Sequence, residues 1–238
     1  DPARRDEHGS RTYAIEDCTP NVLELRDLLL AKSQYTLVKL SPMLDWRKVV
    51  ADFDGTVREV HIVATGNECK ELLLVLGQQV HEEPSAPRVF CVNDNQRIDY
   101  DSAAYTQGLR IGGKPLPETK NYLYEPNASI MKAGCFDLVE ERFGVTQVGP
   151  SSHLFVSATP VADFPGRGFA IEAIGGMNKK DIKRLLNGTK QANIAVRNFP
   201  LTAPQLRKKL KLADGGPVYL FGTTMQGCDH VLLRTSKI

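Results

Sequence analysis

The chain has 238 residues, of which 42% are hydrophobic and 24% are charged. This composition is typical of a folded globular protein, and the length allows one large domain or roughly two to three small ones. No uninterrupted apolar run reaches the ~18 residues that a membrane-spanning helix needs, so the sequence predicts no membrane segment.

The cysteines and histidines carry little information about a metal. There are five of each, and they are scattered without the close pairs that zinc ligands form. We therefore predict reduced thiols, a cytoplasmic protein and no metal site.

Charge is divided unevenly along the chain, although the formal net charge is only +2. From Gly166 to the last residue there are 13 lysines and arginines against 4 acidic residues, a net charge of +9. The preceding residues carry 17 against 24, a net charge of −7. Such asymmetry favours an anionic partner for the basic part, and a solvated basic surface without a partner is the alternative.

The first 80 residues predict alternating helices and strands. Helices are expected from Thr19-Pro20 to about Lys32 and from Leu44 to about Phe53, and strands at 35–40, 57–64 and 71–76. A turn at 65–68 joins the last two strands. This order favours a parallel sheet to which the hairpin adds an antiparallel edge strand.

The middle of the chain gives a weaker pattern. Strands are expected near 88–92, 122–124, 145–148 and 153–157, and one helix runs from the candidate cap Asn127 to Phe143. Glu125 stands just before that helix, where the helix dipole favours a carboxylate.

The last 70 residues give the clearest pattern. Strands at 169–174, 192–196, 218–221 and 230–233 alternate with helices at 178–186 and 202–210. The order β-α-β-α-β-β predicts an α+β, ferredoxin-like sandwich.

Basic side chains lie on both helices of this region and flank the strand between them. They are Lys179, Lys180, Lys183, Arg184, Lys190, Arg197, Arg207, Lys208, Lys209 and Lys211. Two positive helices on one side of a sheet are typical of a surface that binds nucleic-acid phosphates. Phe199 and Tyr219 are candidates for base stacking, with core packing as the alternative.

Several short motifs follow one another along the chain in an order that is more specific than any one of them. They are Asp1-Pro2, Ser41-Pro42-Met43-Leu44-Asp45-Trp46, Tyr124-Glu125-Pro126-Asn127, Asp163-Phe164-Pro165-Gly166-Arg167 and Pro217-Val218-Tyr219-Leu220-Phe221-Gly222. In this order the chain resembles the C-terminal portion of the class I S-adenosylmethionine-dependent methyltransferases that carry a THUMP-like domain. The resemblance implies a partial Rossmann-like α/β sheet followed by a THUMP-like domain.

The resemblance also implies a target pocket. Asp1-Pro2 resembles the acidic or amide residue plus proline that follows the family's fourth strand, beside the methyl group and the accepting atom. Ser41 and Asp45, after the fifth strand, would help to shape that pocket. A carboxylate next to proline is a stiff acceptor for an N–H group, and a simple turn is the alternative reading of Asp-Pro.

The family's glycine-rich cofactor loop has no counterpart in the chain. We therefore expect S-adenosylmethionine to be the cofactor of a longer parent protein, with an incomplete site here, and we expect this chain alone to be inactive. The opening on Asp1 instead of Met fits a missing N-terminal half.

Together these features predict three units: residues 1–80 as the second half of a methyltransferase domain, 81–165 as a small α/β connector, and 166–238 as the THUMP-like domain. The predicted function is methylation of structured RNA, tRNA or rRNA, by the parent. A non-enzymatic RNA-binding or assembly module and a methyltransferase acting on a small molecule or protein are the alternatives. We expect the sheet edge to be covered by the missing half or by self-association.

Overall fold

The structure is a computed structural model that describes residues 2, 15, 16, 18–78, 86–104, 118, 120–227 and 229–238. The chain forms two compact units. The first comprises residues 1–107 and 127–134, and the second comprises 108–126 and 135–238. Among the described residues, no helix is both long and apolar enough to cross a membrane.

The first unit is built on a five-stranded sheet. Its elements are α1 (Arg26–Lys32), β1 (Tyr35–Leu40), α2 (Trp46–Asp52), β2 (Val57–Thr65), β3 (Glu68–Gly77), β4 (Arg88–Asn93), β5 (Gln96–Asp101) and α3 (Ala128–Ala133). The strand order is β1-β3-β2-β4-β5. Strands β1, β2 and β4 run in one direction, and β3 and β5 run in the other.

The hairpin of β2 and β3 corrects one expectation about this sheet. The turn forms as predicted, with Gly66 and Asn67 both at positive φ, the conformation of a tight hairpin. However, β3 is not an edge strand, because it pairs with β1 on one side and β2 on the other. Inserted there, β3 buries Leu72, Leu74 and Leu76 in the middle of the sheet.

The first predicted helix is shorter than expected. Helix α1 begins only at Arg26, and the Thr19-Pro20 bond is cis. The side chain of Asn21 accepts a hydrogen bond from the Leu23 amide, a local turn that competes with helix formation. The predicted start at Thr19 was therefore wrong.

The second unit is built on a seven-stranded sheet. Its elements are β6 (Tyr122–Pro126), α4 (Phe136–Phe143), β7 (Thr146–Gln147), β8 (Phe155–Ser157), β9 (Gly166–Gly175), α5 (Lys179–Leu186), β10 (Asn193–Arg197), α6 (Ala203–Leu210), β11 (Val218–Thr224) and β12 (His230–Lys237). The strand order is β10-β11-β12-β9-β6-β8-β7. The β-α-β-α-β-β order predicted for the last 70 residues is confirmed.

Two apolar clusters lie on opposite faces of this sheet. On one face, α5 and α6 pack through Leu185, Leu206 and Leu210 onto the strands. On the other face, Leu123, Phe169, Phe221 and Leu233 pack with residues that include Val148 and Leu154. The strands of the predicted connector 81–165 are divided between the two sheets, with β4 and β5 in the first and β6, β7 and β8 in the second.

The single helix predicted from Asn127 to Phe143 is two helices. Asn127 caps α3 as expected, accepting hydrogen bonds from the amides of Ser129 and Ile130. Gly134 then takes a left-handed conformation with φ of 67°, which ends α3 before α4 begins. Gly144 ends α4 in the same way, as predicted.

Two glycines allow close approaches of backbone within the second unit. A side chain at Gly166 would overlap the carbonyl oxygen of Glu125 in the neighbouring strand. A side chain at Gly149 would overlap the carbonyl oxygen of Thr224, and here the Gln226 amide donates to the Val148 oxygen at 2.9 Å. The segment after β7 therefore reaches the end of β11, although four strands lie between β7 and β11 in the sheet order.

Candidate nucleic-acid interface

Seven predicted RNA-binding lysines form one exposed set, which we call the lysine surface. Its members are Lys179, Lys180, Lys183, Lys190, Lys208, Lys209 and Lys211, all exposed. Because α5 and α6 pack on the same sheet face through their apolar sides, their lysines point away from the sheet on that same side. Within the part of the chain that the structure describes, none of these lysines forms an ion pair, so their charges are available to an anion.

The helix termini hold this surface in place. Asn178 caps α5, and its side chain accepts from the Asp181 amide. Thr202 and Gln205 form a capping box at the start of α6. Lys208 and Lys209 lie in the last turn of α6, where the helix dipole favours positive charge. These caps follow directly from the sequence, which is why the two helices were predictable.

The three predicted RNA-binding arginines have partners within the second unit. Arg184 donates to the Ile174 oxygen at 2.6 Å and pairs with Asp181. Arg207 donates to the oxygens of Ala192 and Ala213 and pairs with Asp214 at 2.7 Å. Arg197 lies on the opposite face of the sheet, where it donates to Glu125. The structure therefore does not place all ten basic residues on one surface.

The two candidate stacking residues do not lie among the lysines. Phe199 packs against the apolar cluster beneath the helices and meets the ring of His230 edge-on. Tyr219 packs against Phe169 on the other sheet face, with ring centroids 5.1 Å apart. Core packing, the alternative to base stacking, therefore accounts for both rings.

Residues predicted for the target pocket lie in the first unit or outside the described residues. Asp1 is outside them, and Pro2 is buried. Ser41 lies directly after β1, and Asp45 lies directly before α2. Ser41 accepts from the Met43 amide, and exposed Asp45 caps α2 by accepting from Arg47 and Lys48. Both therefore have a structural role, and their part in a target pocket stays a prediction.

A groove of about 770 Å³ lies elsewhere in the first unit. It is lined by the end of α1, the start of β1 and residues that include Arg58, Glu59 and Arg88. Neither Ser41 nor Asp45 lines it.

A buried carboxylate in β6 is the feature that the sequence pattern did not reveal. Glu125 is only 4% exposed, and both of its oxygens are occupied. Arg167 donates to Oε2 from Nε at 3.0 Å and also from Nη2, while Arg197 donates to Oε1 at 2.9 Å. The expected role of Glu125 at a helix N-terminus is therefore replaced by an ion-pair role. The alternation of side chains in Tyr122–Pro126 was the available signal, since it puts Glu125 on the same face as Leu123.

Two further polar residues lie on this face. Thr223 is fully buried and is the register partner of Arg197 in the neighbouring strand. His153 stacks on Phe136 with ring centroids 4.4 Å apart. Burial, together with the nearby Arg197, lowers the pKa of His153 below its usual value, so its ring is neutral at pH 7.

The described residues do not provide a glycine cradle for S-adenosylmethionine. The Gly175-Gly176 pair precedes α5, but a side chain at Gly175 would lie 2.9 Å from Arg184 and 3.1 Å from Asp181. The amide of Gly176 already donates to Asp181. This turn is filled by side chains of its own helix, so it offers no space for a cofactor. No group of three or more potential metal ligands comes together among the described residues.

Comparison with known proteins matches two regions of the chain to family models. Residues 122–165 match the family model of a ferredoxin-like domain, and residues 166–237 match the model of a THUMP domain-like region. A crystal structure described as a "putative methyltransferase" from Porphyromonas gingivalis W83 is similar at 35% sequence identity, with a TM-score of 0.86. The similarity covers 99% of this chain and 58% of that one, so the chain spans little more than half of that protein. No curated protein sequence matches the chain.

Proposed function

We propose that this chain is part of an S-adenosylmethionine-dependent RNA methyltransferase and that the lysine surface holds the RNA. The observation that carries the proposal is the set of seven exposed lysines, which form no ion pair among the described residues. Five of them lie on two helices and two lie just beyond the helix ends, in a region that matches a THUMP domain-like model. The similar Porphyromonas gingivalis protein supports methyl transfer as the activity of the whole protein.

The lysine surface is suited to sequence-independent binding of the phosphate backbone of folded RNA. Lysine presents an exposed point charge, and each phosphate that such a charge neutralises releases condensed counterions. Five of the lysines stand on two capped helices, so the backbone positions from which these side chains extend are set before RNA arrives. Structured RNA such as tRNA or rRNA is therefore the proposed partner.

In the whole protein, we propose that the first sheet is the end of a Rossmann-like sheet. The loop after β1 then contributes Ser41 and Asp45 to the target pocket, together with Asp1 and Pro2. Because the described residues lack a glycine cradle for the cofactor, we propose that this chain alone does not methylate.

The edge of the first sheet is the proposed contact with the remainder of the protein. Strand β1 is at the end of the strand order, and Tyr35 and Leu37 on it are 62% and 63% exposed. Leu28 and Met43, which flank the strand in sequence, are also exposed. An edge strand with exposed apolar side chains is suited to pairing with a further strand, whether from the parent or from a second copy.

The first test is tRNA binding by the chain as a function of salt. The variant carries Lys208→Ala, Lys209→Ala and Lys211→Ala, and the control carries Lys32→Ala, Lys48→Ala and Lys70→Ala, which remove equal charge from the first unit. We expect tight binding at low salt. A plot of the logarithm of the binding constant against the logarithm of the salt concentration should become shallower by about two to three units of slope in the first variant only. Equal losses in both variants would show that net charge, and not the lysine surface, governs binding.

A second test separates an enzyme from a binding module. Transfer of labelled methyl groups to tRNA is measured for the whole protein and for this chain. We expect transfer by the whole protein alone. Tight RNA binding without transfer by either would favour a non-enzymatic RNA-binding module. Methyl transfer to a small molecule or protein, without RNA binding, would favour a methyltransferase that acts on such a substrate.

A further inference from the structure

The sheet face opposite α5 and α6 carries a polar group of residues, which we call the arginine cluster. It comprises Glu125, Arg167, Arg197, Thr223 and His153. Since side chains alternate along a strand, the first four lie on the face that also bears Leu123, Phe169, Ala195 and Phe221 of the apolar cluster described above. The cluster is thus on the other side of the sheet from the lysine surface.

The ion pairs within the arginine cluster leave a positive charge uncompensated. Glu125 contributes one negative charge, Arg167 and Arg197 contribute two positive charges, and His153 is neutral at pH 7. Each guanidinium has five N–H groups. Arg167 uses two of them on Glu125 and Arg197 uses one, and neither makes a further hydrogen bond within the described residues.

Three buried polar atoms of the cluster lack a hydrogen-bond partner among the described residues. They are Nε of Arg197, Oγ1 of Thr223 and Nδ1 of His153. Burying such an atom without a partner is unfavourable, and Thr223 is completely inaccessible to solvent. Arg197 and Thr223 are register partners in adjacent parallel strands, so their side chains are neighbours. Two of the unsatisfied atoms therefore belong to neighbouring side chains, and such a pair indicates a missing ligand better than two independent defects.

We propose that the arginine cluster binds a phosphate group. A phosphate offers several acceptor oxygens to the free N–H groups and the threonine hydroxyl, and its charge balances the surplus arginine charge. The guanidinium groups remain reachable, because the side chains of Arg167 and Arg197 are 45% and 40% exposed. Glu125 serves as a positioning residue that holds the two arginines side by side.

The phosphate can come from an RNA terminus or from solution, and the cluster is separate from the backbone grip proposed for the lysine surface. A buried threonine at the site favours a terminal phosphate over a phosphodiester, since a diester continues as a chain on both sides. The inference does not require the chain to methylate RNA.

The test is calorimetric titration of the 238-residue chain with inorganic phosphate, in chloride buffer at constant ionic strength. The variants are Thr223→Val, which keeps the shape and removes the hydroxyl, and Thr223→Ser, which keeps the hydroxyl. The control, Lys208→Ala with Lys209→Ala, changes the lysine surface only. We expect saturable binding that Thr223→Val weakens about tenfold, while Thr223→Ser and the control retain it.

Absence of saturable binding to the unmodified chain, or equal binding by the Thr223→Val chain, would overturn the proposal. Should the Thr223→Val chain fail to fold, Arg197→Met tests the same site, because Glu125 keeps Arg167 as its partner. Short RNAs with a 5′-phosphate or a 5′-hydroxyl then identify the source. A Thr223-dependent preference for the phosphorylated RNA assigns the site to an RNA end, and binding of inorganic phosphate without that preference assigns it to free phosphate.

Discussion

Replacing Glu125 by glutamine tests whether the buried carboxylate holds the second unit together. Glutamine keeps the shape and one oxygen acceptor, but it removes the charge and points an NH₂ group toward an arginine. The side chain is 4% exposed, and it joins β6 to Arg167 in β9 and to Arg197 at the end of β10. The substitution leaves two guanidinium groups facing each other without a counter-charge.

The size of the effect follows from the burial of the three partners. Removing one member of a fully buried ion pair costs about 3–5 kcal/mol. Here the arginine side chains are 45% and 40% exposed and can turn toward water, which reduces that cost. We therefore expect the free energy of unfolding of the second unit to fall by about 2 kcal/mol, or a melting temperature lower by roughly 5–8 °C.

Amide hydrogen exchange measures this loss within the second unit, without assuming that both units unfold together. Peptides that cover β6 and β9 should exchange about 30-fold faster in Glu125→Gln, the factor that 2 kcal/mol implies. Asp229→Asn is the control, because this exposed carboxylate lies in the same unit, in the turn between β11 and β12. Unchanged exchange in Glu125→Gln would refute the argument that the carboxylate fastens these strands.

Two further predictions concern the same unit. Gly166→Ala should lower the free energy of unfolding by about 2–3 kcal/mol, because its side chain would overlap the Glu125 carbonyl oxygen and force β6 and β9 apart; an unchanged thermal melting curve would show that the strands adjust freely. The pKa of Asp181 lies below its usual 3.8, first because the Gly176 amide donates to it and then because Asn178 and Arg184 do. Its stabilisation is therefore present above the unfolded pKa and is lost as pH falls through the lower folded pKa, so melting temperatures from about pH 6 to about pH 2 should fall less in Asp181→Asn. Parallel curves for the two chains would contradict this.

Local signals in the sequence were sufficient for most of the elements. The predicted strand 35–40 is confirmed residue for residue, and caps at Asn178 and Thr202 placed α5 and α6 correctly. These signals work because a cap, a breaker or an alternation acts over a few residues. Gly134 shows their limit, since a glycine within an apolar helical pattern can be tolerated, and only the structure shows that it ends α3.

Local sequence signals could not predict the strand order or the arginine cluster. The insertion of β3 between β1 and β2 depends on which edges bury the most apolar surface, and the pattern of one strand does not specify its neighbours. Glu125 and Arg197 are 72 residues apart in sequence. From local context, a glutamate before a helix cap is best explained by the helix dipole, and its true partners come from the sheet.

The arginines and lysines of the basic region make different contacts, and this difference changes how the basic charge should be interpreted. Arg184, Arg207 and Arg197 bind carbonyl and carboxylate oxygens of the second unit, as does Arg234, which donates to the last carbonyls of α5. The forked guanidinium suits such fixed, multiple hydrogen bonds, whereas lysine carries a mobile point charge. The net charge of the region therefore overstates the charge that is available to the proposed RNA partner, because several arginines form hydrogen bonds and ion pairs within the domain. Affinity for RNA should depend on the seven lysines, and substitution of the arginines should first reduce stability.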